Sequence, residues 1–83
     1  MRAVRTILKE LKKAQAKHPD WPCDVVHCAA IMIEEAGEEV QASIDFHYGN
    51  QVDTSQMRLE AGHTGAMAIR LLMGLDDLEG QRQ

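Results

Sequence analysis

The chain has 83 residues, 45% hydrophobic but only 4% aromatic, so its apolar mass is Ala, Leu, Ile, Val and Met, the set that suits closely packed helices in one small domain. Residues 1–17 carry six Lys/Arg and one acid, Glu10, for a charge of +5, while the remainder carries −9. An acidic body of this kind repels phosphate backbones, which argues against duplex nucleic acid as a partner. No apolar run approaches the roughly 20 residues that span a bilayer, and no signal-peptide pattern opens the chain. The expectation is a cytoplasmic protein with no membrane segment. A domain this small buries only about 60% of its unfolded surface, so association with further copies is also expected.

The first predicted helix, 2–17, places Val4, Ile7, Leu8, Leu11 and Ala14 on one stripe and its Lys and Arg residues on the other face. His18-Pro19-Asp20-Trp21-Pro22 ends it, because two prolines forbid continuation. A second helix is predicted over about 23–48, with Asp24 available as a cap and Gly49-Asn50 as a stop. Its main apolar stripe is Val26, Ala29, Ala30, Ile33, Gly37, Val40 and Ile44. A third helix is predicted over about 54–73, closed by Gly74, with a polar tail over 76–83. Met57, Ala61, Ala68 and Leu72 lie on one of its sides and Ala66, Ile69 and Met73 on another, so it needs two partners. The predicted fold is all-α: a single domain, 1–83, forming an antiparallel bundle of about three helices completed by homo-oligomerisation. Cys23 and Cys28 lack C-x-x-C spacing and read as small buried or half-buried thiols.

Chemistry concentrates in Glu34-Glu35-Ala36-Gly37-Glu38-Glu39, four carboxylates within two turns. Like charges at i, i+4 each destabilise a helix by roughly 0.2–0.5 kcal/mol, and no Lys or Arg lies between Asp20 and Arg58 to relieve them. The third helix carries Glu60 and His63, three apart on one face, and the short loop over about 49–53 makes the two helices neighbours. Gly37 lies between Glu35 and Glu38, and Gly62 between Glu60 and His63. A mid-helix glycine costs roughly 1 kcal/mol against alanine, so both suggest close backbone approach. Glu35, Glu38 and Glu60 can then converge on a hard divalent ion, Mg²⁺ or Mn²⁺. The plainer alternative is a solvated acidic face.

Glu34-Glu35-x-Gly37-Glu38 followed by Glu60-x-x-His63 resembles the MazG-like members of the all-α nucleoside triphosphate pyrophosphohydrolases, over roughly residues 18–72. The His18-Pro19-x-Trp21-Pro22 turn and the segment His63-Thr64-Gly65-Ala66-Met67-Ala68 are similar to a small MazG-like subgroup. The resemblance implies a homodimer or homotetramer that hydrolyses (deoxy)nucleoside triphosphates to monophosphate and pyrophosphate, in nucleotide-pool housekeeping. It implies metal ligation by Glu35, Glu38, Glu60 and position 63, with Glu34 as a further ligand or the base that orients water. His63 departs from the family's acidic fourth ligand. It therefore ligates a softer ion, hydrogen-bonds water or phosphate, or marks lost activity. In the last case the chain is a catalytically inactive dimerisation or nucleotide-binding regulatory module.

A triphosphate also needs cations beyond the metal. Arg58, Arg70 and the basic first helix are candidates, and Trp21 can stack on a base or pin the turn to the core. His27 is a candidate partner of the acidic face or an interface residue. P-loop, serine hydrolase and zincin motifs are absent.

Overall fold

The computed structural model describes residues 1–20, 24–49 and 52–81. Three helices make up the fold: α1 (Arg2–Lys17), α2 (Val25–His47) and α3 (Ser55–Gln81), with no strand among the described residues. No helix is long and apolar enough to cross a membrane. The predicted boundaries of α1 and α2 hold for chemical reasons. Asp24 sits in extended backbone and its carboxylate accepts from the His27 N–H at 2.6 Å, satisfying a first-turn donor. Past Tyr48, Gly49 takes the left-handed conformation (φ 87°) that terminates α2. Asp53 accepts from the backbone N–H and hydroxyl of Ser55 at 3.0 and 2.7 Å, which starts α3 and holds the Asp53 carboxyl below its ordinary range.

The far end of α3 departs from the prediction. The helix runs through Gly74 and takes in most of the segment expected to be a polar tail. Leu71, Leu75 and Leu78 form a half-buried row at i, i+4 and i+7. That row carries the helix past a glycine whose cost is only about 1 kcal/mol.

Both other helices pack on α3, and α1 and α2 do not pack on each other. Ile7 lies against Gly65, and Arg70 reaches the end of α1, so α1 and α3 run in the same sense. The seam is set by glycine. A Cβ on Gly65 would stand 2.9 Å from Ile7 Cδ1 and Cγ1, and one on Gly62 would stand 3.1 Å from Glu10 Cγ. Gly62 thus marks a close approach, but to α1. Gly37 does not: it is exposed, with nothing within 4 Å of where a Cβ would be. Gly65→Ala should therefore lower the melting temperature, since overpacking costs about 1–3 kcal/mol against a propensity gain of about 1. Gly74 has nothing within 4 Å, and Gly74→Ala should raise it. Equal rises for both variants would contradict this packing.

Arg70 closes the α1 end. It is buried, and its guanidinium donates to the Ala14 carbonyl at 3.1 Å and the His18 carbonyl at 2.6 Å. The His18 carbonyl is one of those a helix terminus leaves without an intrahelical partner, while the Ala14 carbonyl also accepts the His18 N–H at 2.8 Å. Burial pushes the guanidinium pKa down, with Cys28 acting in the opposite direction. Arg70→Met should cost about 1.5–3 kcal/mol, the worth of hydrogen bonds to a charged group, visible as a lower melting temperature.

The core is small. Among the described residues, Cys28, Ala42, Ala66 and Met67 are its buried apolar residues, alongside the charged Glu10, Glu60 and Arg70. The stripe predicted to be the buried face of α2 points the other way: Val26 is 75% exposed, Ile33 67%, Val40 55% and Ile44 45%. Helix α2 turns Cys28, Glu35 and Ala42 inward instead. It is apolar on two sides and has one partner within the chain. Met73, on the second predicted face of α3, is also exposed. The chain exposes 6127 Å², whereas a compact monomer of its mass exposes roughly 5,000 Å².

Candidate metal centre

Because α1 and α2 flank α3 without meeting, a trough runs between them with α3 as its floor. A cluster of four titratable side chains from all three helices stands in it. Glu35 comes from α2, Glu60 and His63 from adjacent turns of α3, and Glu10 from α1. His63 Nδ1 lies 3.5 Å from Glu35 Oε2 and 3.7 Å from Glu60 Oε2, while Nε2 lies 3.8 Å from Glu10 Oε1. One ligand atom from each of Glu35, Glu60 and His63 falls within 4.8 Å of the other two.

The carboxylates are incompletely satisfied. Glu10 Oε2, Glu35 Oε2 and Glu60 Oε2 are all buried without a hydrogen-bond partner, and Glu10 and Glu60 are only 5% and 6% exposed. Each such orphan costs about 1–3 kcal/mol, more when charged. The other Glu60 oxygen accepts from Gln56 Nε2 at 3.0 Å, so the carboxylate is aimed from within its own helix. Burial raises the Glu35 pKa, the charges of Glu38 and Glu34 raise it further, and His63 opposes them. A divalent ion fits this set: buried anionic oxygens without donors, with one imidazole among them.

Glu38 stands beside this group. A hydrogen bond with Glu60 is the largest cause of its raised pKa, followed by burial and the charges of Glu60 and Glu34, with His63 opposing. It opens onto a cleft shared with Gln41, Asp45, Gln56 and Glu60. Glu34 is exposed and lines neither that cleft nor the two larger cavities. Glu39 accepts from the Ser43 hydroxyl at 2.8 Å and faces a separate cavity of about 350 Å³ together with Arg58.

Beyond the cluster the trough opens into a cavity of about 550 Å³. Glu10, Glu35 and His63 line it, Ile31 and Met67 give it apolar surface, and Lys13, Lys17, His18 and His27 stand there together with Asp20. Cationic groups thus stand beside the carboxylates, supplied by the basic helix and the turn after it. Arg58 and Arg70 line other parts of the molecule. The stacking role considered for Trp21 lies outside the described residues.

Glu10 joins the cluster without having been expected there from the sequence. Its signal was present: it is the one acid of a basic helix and falls on the apolar stripe, three after Ile7 and four before Ala14. An acid on a buried stripe needs a reason, and the His63 side of the cluster supplies one. The chain matches no family model, no curated protein and no solved structure.

Proposed function

We propose that this chain is a metal-dependent pyrophosphohydrolase of nucleoside triphosphates, releasing a monophosphate and pyrophosphate in nucleotide-pool housekeeping, as the MazG-like resemblance implies. The observation that carries this reading is that Glu10, Glu35 and Glu60, clustered about His63, each keep a buried oxygen with no hydrogen-bond partner, beside a cavity whose lining includes Lys13 and Lys17. The cavity's volume lies within the roughly 300–1,000 Å³ of small-molecule sites.

Glu35, Glu60 and His63 hold the ion in this proposal, with Glu38 orienting Glu60 or joining the ligands. Two carboxylates and one imidazole suit Mn²⁺ better than Mg²⁺. Once bound, a divalent ion supplies the positive charge that offsets the phosphate oxygens and the leaving pyrophosphate. Lys13, Lys17, His18 and His27 meet the phosphates from the cavity wall, a role the sequence argument offered to Arg58 and Arg70. Arg70 acts instead as the latch on α1. Glu34 keeps a role only as a water-orienting base at the outer edge of the site.

The active form in this reading is a cytoplasmic homodimer or homotetramer of antiparallel bundles. The outward apolar stripe of α2 and the roughly 1,100 Å² by which the chain's surface exceeds that of a compact monomer support it, since a stable interface takes about 800 Å² per partner.

One observation favours a second reading. His63 lies within 3.8 Å of all three carboxylates, so a protonated imidazole can act as a built-in counter-ion in a catalytically silent module. Incubating the purified protein with nucleoside triphosphates and Mn²⁺ or Mg²⁺, and assaying pyrophosphate, separates the two. Release is expected, faster with Mn²⁺. No release with any nucleotide, together with no metal-dependent rise in melting temperature, would favour the silent module.

A further inference from the structure

The four charged groups of the cluster are not equivalent. Glu35 and Glu60 face the Nδ1 edge of His63, and Glu10 faces Nε2. Glu10 is also outside the set whose ligand atoms lie mutually within 4.8 Å. An imidazole that ligates a metal must be neutral, with a lone pair on one nitrogen and its hydrogen on the other. In this geometry the nitrogen turned towards the two other carboxylates is Nδ1, which leaves the hydrogen on Nε2, pointing at Glu10.

We propose that Glu10 is a positioning residue for His63: it accepts the Nε2–H, fixes the tautomer with its lone pair on Nδ1, and so makes the ring a ligand. This rests on the metal-binding reading above. A carboxylate behind a ligating histidine orients the ring and raises its basicity. Three features equip Glu10 for that work. It is almost fully buried, so its acceptor competes with little water. Lys13 Nζ lies 3.4 Å from Oε1, the same oxygen that faces His63, and places a positive charge beside that acceptor. Gly62, adjacent to His63, lets the Glu10 side chain pass at a distance that a Cβ would crowd. The 3.8 Å separation is longer than a hydrogen bond, and ligation of the ring is expected to close it. The same arrangement explains how histidine can stand at a ligand position among acids: α1 contributes the carboxylate that orients it.

The test is Mn²⁺ titration of the whole protein by calorimetry, with Glu10→Gln and Glu10→Met as variants and the metal-free melting temperature of each recorded. Glu10→Met should bind Mn²⁺ about 10–100-fold more weakly while melting no lower than the parent. Glu10→Gln keeps a neutral acceptor and should fall between them. With Zn²⁺ as a diamagnetic probe, the His63 ring N–H should appear in proton NMR as a hydrogen-bonded resonance that Glu10→Met removes. Parent-like Mn²⁺ affinity in both variants would overturn the role of Glu10 and leave the metal site standing. A parent that binds neither ion would overturn the metal reading itself. If Glu10→Met does not fold, Glu10→Gln alone decides, through affinity and the resonance.

Discussion

Glu35→Gln should abolish the response to metal and make the metal-free protein more stable. The carboxylate is partly buried, one of its oxygens has no hydrogen-bond partner, and Glu38 and Glu34 repel it. The isosteric amide removes the charge. Relief of about 1 kcal/mol corresponds to a rise of roughly 4–8 °C in melting temperature for a chain of this size. Pyrophosphate release should fall roughly 100-fold or more, the scale seen when a group that stabilises transition-state charge is lost. Burial raises the Glu35 pKa in the folded chain, so between its ordinary value and the raised one the folded state holds more protons than the unfolded. Stability contributed by the protonated group is therefore complete below the ordinary carboxyl range and lost as pH rises through the folded value. The advantage of Glu35→Gln should be present at neutral pH and vanish in acid. Metal should stabilise the parent over the same neutral range. A variant that melts lower than the parent at pH 7, with its metal response intact, would remove Glu35 from the site.

The second large effect is expected on assembly. Ile33 lies near the middle of the outward stripe of α2 and is 67% exposed in the single chain. On an isolated monomer, Ile33→Arg should change stability by no more than about 0.5 kcal/mol. In an interface formed by two copies of α2 it buries a charge from each side. Dissociation should then rise roughly 100-fold or more, as for a central interface residue worth about 2–4 kcal/mol. Analytical ultracentrifugation of parent and variant at micromolar concentration reads this directly. The parent should sediment as a dimer or larger species and the variant as a monomer. A parent that is monomeric throughout would leave the stripe unexplained and remove the homo-oligomer from the account.

Local chemistry made much of the fold legible. Pro19, Asp24, Gly49 and Asp53 each bound a helix through a definite backbone or capping effect, and the structure has helix ends at all four places. Gly74 misled because a single glycine weakens a helix without ending it when Leu75 and Leu78 continue the half-buried row. Helical spacing marks one main apolar stripe on α2 but does not say whether that face or the opposite one meets α3. The inward face carries Cys28, Glu35 and Ala42 and is the less hydrophobic of the two, so a ranking by apolarity selects the other. The cluster was partly legible for the same reason. Spacing within a helix pairs Glu60 with His63, and a short loop makes α2 a neighbour, but contact between α1 and α3 is long-range. Glu10, and the latch formed by Arg70, depend on that contact.

The central claim is that Glu35, Glu60 and His63, from two helices, hold one divalent ion. Pulsed electron paramagnetic resonance of the protein loaded with one equivalent of Mn²⁺ tests it most directly, because coupling to an imidazole nitrogen reports ligation by histidine. A nitrogen coupling that disappears in His63→Gln is expected, with Mn²⁺ affinity reduced in Glu60→Gln. Mn²⁺ that remains free in solution, or binds with no nitrogen coupling, would contradict it.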